Sequence, residues 1–295
     1  KKLIPSAPTN DFGFSVAISG NVILVAGGNR AHIFSKKLYP DNCEWIEVGT
    51  LNPDGWIRDV AISANKFVIA ASDGVYVGSY TKDYFNNISS WSFGERIYEA
   101  PPHNSPYDRV AISNNTVVVG TDDSAHIYVL DQGQWIEQQQ INYDSGWWGD
   151  CDAHPHHGRG RNIDIDGDYL IVGCKTDSEG NGTASIYHRV DGFFVEQKLI
   201  AGGDWQDCYQ YSTLGESVSI SGDIAVVSCE SDQRLQTLIF VRFGSDWVKH
   251  HYETENGVDD ADYSSTAVSV SDNILVFGDQ DDDTIEDNSG SVYLV

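Results

Sequence analysis

A short apolar word recurs six times along the chain, a turn dipeptide and a second apolar run follow each copy, and no stretch keeps a helical period. Together these predict an all-β fold: a six-bladed β-propeller with four antiparallel strands per blade, closed by an N-terminal strand that completes the last blade. Val16-Ala17-Ile18-Ser19, Val60-Ala61-Ile62-Ser63 and Val110-Ala111-Ile112-Ser113 are one word. Ile163-Asp164-Ile165-Asp166, Val218-Ser219-Ile220-Ser221 and Val268-Ser269-Val270-Ser271 are its variants. Successive copies begin 44 to 55 residues apart, the length of a propeller blade.

Each repeat reads as four strands. The word is the first, strand A. A two-residue turn follows: Gly20-Asn21, Ala64-Asn65, Asn114-Asn115, Gly167-Asp168, Gly222-Asp223 or Asp272-Asn273. Gly, Asn and Asp tolerate the positive φ of a tight hairpin. Strand B is strongly apolar, from Val22, Phe67, Thr116, Tyr169, Ile224 and Ile274 onward. Strand C carries an aromatic, as in His32-Ile33-Phe34 and His126-Ile127-Tyr128. Strand D opens on a large aromatic: Trp45, Trp91, Trp135, Phe193 or Phe194, and Trp247.

Blades are expected to begin near residues 10, 54, 104, 157, 212 and 262 of one domain spanning 1–295. The sixth repeat stops after strand C. Lys1-Lys2-Leu3-Ile4 is similar to the strand D segment Gln197-Lys198-Leu199-Ile200, so residues 1–5 are expected to complete blade six. Closing the ring removes exposed sheet edges.

Composition narrows the function classes. Acidic residues number 44 against 18 basic, a net charge of −26. That argues against nucleic acid and against docking on anionic lipid, which need basic surface. No run of apolar residues is long enough for a membrane span.

Asn10-Asp11-Phe12-Gly13-Phe14-Ser15-Val16-Ala17-Ile18-Ser19-Gly20-Asn21 resembles the FG-GAP repeat of integrin-α-type propellers and their microbial relatives, and Leu214-Gly215-Glu216-Ser217-Val218 is a second, weaker copy. The resemblance implies an extracellular binding or adhesion module. It departs from the family at the calcium sites: the A–B link here is a two-residue turn, too short to supply the oxygens a Ca²⁺ ion needs. Asp164-Ile165-Asp166-Gly167-Asp168 imitates such a loop in letters, but Ile165 fits a strand register, so a hairpin is expected.

In a propeller the D–A and B–C connections share one rim. Arg58, Arg109, Arg159 and Arg161 fall just before strand A in blades two to four, four of the nine Arg in the chain. They read either as an anion pocket, since guanidinium forks a carboxylate, or as partners of local acids such as Asp59, Asp108 and Asp164. Trp147, Trp148 and Trp205 lie in insertions on the same rim and are the aromatic binding candidates. Phe12 and Trp56 occupy the slot where the family packs blade on blade. The segment around His154, His156 and His157 is the most metal-like, but its spacing matches no zinc signature, so no cofactor is expected beyond a possible divalent metal there.

Five Cys remain. Cys151 and Cys208 precede strand A, and Cys174 and Cys229 end strand B, of the same two blades. Disulfides Cys151–Cys174 and Cys208–Cys229 are expected, with a crossed pairing such as Cys174–Cys208 open, and Cys43 left over. Disulfides imply an oxidising compartment. Sequons at Asn87, Asn114 and Asn181 agree with an extracellular or cell-surface location. The acidic run Asp279 to Asp287 reads as a solvated loop.

No nucleophile elbow, phosphate loop or zinc-protease helix is present. The expected function is a non-enzymatic binding module for glycan or extracellular protein ligands. Alternatives are a polysaccharide lyase or hydrolase, and a structural subunit of an extracellular assembly.

Overall fold

The computed structural model describes residues 2–7, 9–37, 44–83, 88–100, 109–121, 124–142, 162–174, 182–201, 214–231, 234–252, 267–272, 274–279 and 291–294. Among them the regular structure is entirely β, in six antiparallel sheets. Sheet one is β1 (Ser15–Ser19), β2 (Val22–Gly27), β3 (Arg30–Lys37) and β4 (Glu44–Leu51). Sheet two is β5 (Ile57–Ser63), β6 (Lys66–Ala71) and β7 (Gly74–Lys82), with its fourth place split between β8 (Ile88–Ser92) and β9 (Arg96–Glu99), both paired with β7. Sheet three is β10 (Arg109–Ser113), β11 (Thr116–Gly120), β12 (Ser124–Asp131) and β13 (Gln134–Asn142).

Sheet four is β14 (Ile163–Asp166), β15 (Tyr169–Cys174), β16 (Thr183–Val190) and β17 (Phe193–Ala201). Sheet five is β18 (Val218–Ser221), β19 (Ile224–Ser231), β20 (Arg234–Phe243) and β21 (Asp246–Tyr252). Sheet six has three strands, β22 (Ala267–Ser271), β23 (Ile274–Asp279) and β24 (Ser291–Leu294). The chain divides into two compact units, Lys1–Thr121 with His126–Gln140, and Asp122–Ala125 with Ile141–Val295.

All six strand A words form the first strand of a sheet, and every A–B link is a two-residue hairpin turn. The first turn residue has positive φ in each copy: 56° at Gly20, 52° at Ala64, 54° at Asn114, 58° at Gly167, 57° at Gly222 and 52° at Asp272. The Asp164–Asp168 segment is therefore a hairpin, with Asp166 opposite Tyr169.

Within each unit the cores lie between consecutive sheets. Val22, Leu24 and Leu51 of sheet one meet Ile57, Phe67 and Ile69 of sheet two. Val68 and Val75 of sheet two meet Val110, Val117 and Tyr128 of sheet three. In the second unit Ile171, Ile186 and Ile200 meet Val218, Ala225 and Trp247, and Val226 meets Val268, Leu275 and Phe277. Strands buried on both faces explain why strand B reads as a continuous apolar run rather than an alternating one.

A second device joins the inner strands. An oxygen-bearing side chain at one position of strand A accepts a hydrogen bond from the backbone N–H one position further along in the next sheet. Ser15 accepts from Val60 at 3.2 Å, Asp59 from Val110 at 3.0 Å and Ser63 from Asn114 at 3.1 Å. Asp164 accepts from Ile220 at 2.9 Å and Asp166 from Gly222 at 2.8 Å. Ser217, Ser219 and Ser221 accept from Val268, Val270 and Asp272 at 3.0, 3.2 and 3.1 Å. The innermost strand has a free sheet edge, and this ladder satisfies its donors, each of which would otherwise cost ~1–3 kcal/mol if buried unpaired. The Ser that ends most of the words is thus a structural group.

Residues 2–5 form no strand, so the expected closing strand is not seen among the described residues. The Ser6 N–H donates to Glu47 Oε2 at 2.5 Å, Thr9 Oγ1 sits 3.0 Å from His32 Nε2, and the Gly13 N–H donates to the Ala26 carbonyl, so this stretch is bound to sheet one. Two faces stay open. On sheet one Val16 and Ile18 are each 63% exposed, although their counterparts Val60, Val110 and Val218 are buried. On sheet six Ile274, Val292 and Leu294 are exposed.

Candidate functional site

The connection into β5 carries the most exposed tryptophan among the described residues. Trp56 is held by both of its backbone groups: its N–H donates to Ser72 Oγ at 3.1 Å, and its carbonyl accepts from the Ser72 N–H at 2.9 Å. Gly55 makes this possible, because a Cβ there would stand 2.5 Å from Ser72 Oγ and 2.6 Å from Asp73 Oδ1. On the other side the Ile57 N–H donates to the Gly28 carbonyl at 2.7 Å. The D–A connection of sheet two is thus pinned between the B–C turns of sheets one and two. The indole, 52% exposed, stands out from it. The sequence places Trp56 in a packing slot beside Phe12; only Phe12 packs, edge-on to His32 and Phe34.

Arg58 is two residues on. In the β5–β6 pairing Ile57 faces Ala71 and Asp59 faces Ala70, so Arg58 is an extra residue. A bulge of this kind re-aims a side chain without ending the strand. The Arg58 Nε is buried and has no hydrogen-bond partner.

Asp59 is fully occupied. Its carboxylate accepts from Ser15 Oγ at 2.8 Å, from the Val60 and Val110 N–H groups at 3.0 Å each, and has Arg109 Nη1 at 3.9 Å. Burial pushes its carboxyl above the ordinary value, against the pull of Arg109 and these donors. Arg109 is 34% exposed. The two readings of the Arg series therefore divide: Arg109 pairs with a local acid, as the conservative reading expected, whereas Arg58, two residues after the exposed Trp56, keeps an unmet Nε donor. Beside them Tyr76 donates to Asp73 and stacks on Phe93 at 5.1 Å, and burial with Asp73 pushes its phenol up to about 12.

Sequence reasoning missed a second polar chain. His32, wholly buried, has its Nδ1 2.8 Å from Glu47 Oε1, with Thr9 at its other nitrogen. Burial raises the Glu47 carboxyl, but the His32 and Ser6 hydrogen bonds prevail and hold it below its usual value. The order Thr–His–Glu looks catalytic. Sheet three repeats the His–Glu half at His126 and Glu137, 2.7 Å apart, which marks it as a cross-strand support of the blade. The signal for it was a His opening strand C with a Glu in strand D, twice.

Arg159, Arg161, Trp147, Trp148, Trp205, His154, His156, His157, Cys151, Cys208 and Cys43 lie outside the described residues. Among the described residues no three His, Cys, Asp or Glu groups gather as a metal site. Cys174 and Cys229 are buried at equivalent places near the ends of β15 and β19.

No protein-family model matches the chain, and no curated protein matches it in sequence. Solved structures do. Hsv2 from Kluyveromyces lactis superposes with a TM-score of 0.53 at 10% identity, over 92% of this chain and 71% of its own. Sqt1 from Saccharomyces cerevisiae gives 0.50 at 11% identity, over 97% and 86%. A proposed 6-phosphogluconolactonase from Bacteroides uniformis gives 0.54 at 13%, over 80% and 68%. These neighbours are β-propeller-like, and at such identities they speak to fold alone.

Proposed function

We propose that the chain is an extracellular binding module, a six-bladed propeller that takes glycan or protein ligands on the rim of sheet two. The observation that carries this reading is Trp56: an indole pinned by its backbone yet half exposed, with an unmet guanidinium donor two residues on. Rigid aromatic anchors of this kind dominate recognition surfaces. A glycan array and an extracellular-protein array probed with the wild type and with Trp56→Ala test it. The expected result is a set of ligands whose signal drops at least tenfold in the variant. Retention of every signal by Trp56→Ala refutes the rim of sheet two as the site.

Extracellular placement is supported by Cys174 and Cys229, both disulfide-bonded. The proposed pairing is Cys151–Cys174 and Cys208–Cys229. Non-reduced peptide mapping reads it directly, and a 174–208 peptide would replace it with the crossed arrangement.

A further inference from the structure

We infer that the ligand at this rim is a carboxylated glycan, an oligosaccharide whose sugar ring lies on Trp56 while its carboxylate takes the Arg58 guanidinium. The inference rests on the reading of the rim of sheet two as the binding site. Three observations carry it.

First, the platform is flat and apolar, on a fixed loop. Both backbone groups of Trp56 are bonded to Ser72, so the backbone that carries the indole is ordered before a ligand arrives. The C–H face of a pyranose fits such a surface.

Second, Arg58 lacks what its neighbour has. The adjacent acid, Asp59, spends its oxygens on Ser15, Val60, Val110 and Arg109. Arg58 Nε is left buried with no acceptor. An unmet buried donor is costly, and a carboxylate is the acceptor whose geometry matches the guanidinium fork. The bulge at Arg58 exists in β5 and not in β1, β10 or β14, whose ladders run in unbroken register. An extra residue retained at one copy of a repeat is a local device.

Third, the protein carries a net charge of −26, which repels dense polyanions at long range. A charged ligand must then be held by short-range contacts. A uronic-acid oligomer sets a sugar C–H face beside each carboxylate, the two groups that Trp56 and Arg58 would take; polyglutamate carries the charge without the ring.

The test is calorimetric titration of the full chain with galacturonate oligomers of four to six residues, their methyl esters, and polyglutamate. The variants are Trp56→Ala, Arg58→Ala and Arg58→Lys, each checked for an unchanged melting curve. Wild type should bind the acid oligomer at least tenfold more tightly than its ester, and polyglutamate not at all. Arg58→Ala should remove that preference and leave ester binding unchanged. Arg58→Lys should restore part of it, because the ammonium keeps the charge but not the fork. Trp56→Ala should weaken both oligomers. Equal binding of acid and ester, lost only in Trp56→Ala, overturns the carboxylate and keeps the rim. Preference for polyglutamate overturns the glycan. Absence of binding to any oligomer overturns the inference, and ligands from the arrays that ignore Trp56→Ala overturn the rim as well.

Discussion

Sheets two and four place a buried aspartate on their inner strands, and they use it differently. Asp164 sits inside β14 in unbroken register opposite Ile171, and its oxygens go to the Ile165 and Ile220 N–H groups and the Ser219 hydroxyl. Asp59 likewise accepts from the N–H that follows it, Val60, and from the next sheet's Val110, but its hydroxyl donor is Ser15 of the preceding sheet, and it borders a bulge and draws in Arg109. The shared part of the two arrangements is the inter-sheet ladder. The unshared part is Arg58, Trp56 and Arg109. In this comparison what recurs joins sheets, and Arg58 and Trp56 depart from the pattern that recurs.

The largest expected effect tests the shared part. Asp164→Ala strands the Ile165 and Ile220 N–H groups and the Ser219 hydroxyl; Asp59→Ala strands the Val110 N–H and the Ser15 hydroxyl, while the Val60 N–H keeps Ser15 Oγ. Each should cost ~2–3 kcal/mol or more, the sum expected for buried donors left unmet, and Asp59→Ala also leaves Arg109 without its partner. Melting temperatures of the two variants decide this. A loss below ~1 kcal/mol for either would mean that water replaces the carboxylate and that the ladder is not a buried element.

A pH titration sharpens the comparison further. Burial pushes both carboxyls above their ordinary 3.8; Arg109 and three donors oppose it at Asp59, and three donors alone at Asp164, with Asp166 adding to the rise. A carboxyl with a raised native pKa binds its proton more tightly folded than unfolded. Its contribution to stability therefore falls as pH rises from 3.8 through the raised value, and is most favourable below 3.8. The stability gap between wild type and Asp59→Asn/Asp164→Asn should widen as pH falls from 6 toward 3.8. A gap that narrows would show that the donors outweigh burial and hold both groups ionised.

Much of this was legible in the sequence, and the physical range of each signal explains what was not. Strands and hairpin turns rest on local rules, side-chain alternation and positive-φ residues, so the six words and six turns were read correctly. The ladder joins residues about fifty positions apart, and its only sequence trace is the oxygen that ends each word, as in Ser63, Asp166 and Ser221. Arg109 and Arg58 look alike in the chain; a one-residue bulge separates a paired cation from an unmet one. Trp56 aligned with the packed Phe12, but two glycines and Ser72 pull its loop to the rim. The strand expected from Lys1 to Ile4 rested on likeness to Leu199-Ile200 and on a repeat that stops one strand short, and neither signal says where those residues pair; the described structure binds Ser6 and Thr9 to sheet one.

The smallest effect isolates backbone from side chain at the same two sheets. The first A–B turn residue is Ala64 in sheet two and Gly167 in sheet four, with φ of 52° and 58°. A Cβ built on Gly167 meets nothing within 4 Å, so its substitution is resisted by conformation alone. The left-handed region costs an L side chain roughly 1–2 kcal/mol, and a glycine gives back ~0.5–1 kcal/mol as chain entropy on unfolding. Ala64→Gly should therefore gain, and Gly167→Ala lose, about 0.5–1 kcal/mol, or roughly 2 to 4 °C per kcal/mol in a unit of this size. The Tyr80 hydroxyl donates to the Ala64 carbonyl, a backbone group that the glycine keeps, so the gain is not offset by a lost bond. Opposite shifts of similar size would place both turns under one backbone rule. Destabilisation by Ala64→Gly would mean that sheet two has adapted its turn to alanine, and the separation of repeat from departure would then extend to this end of β5.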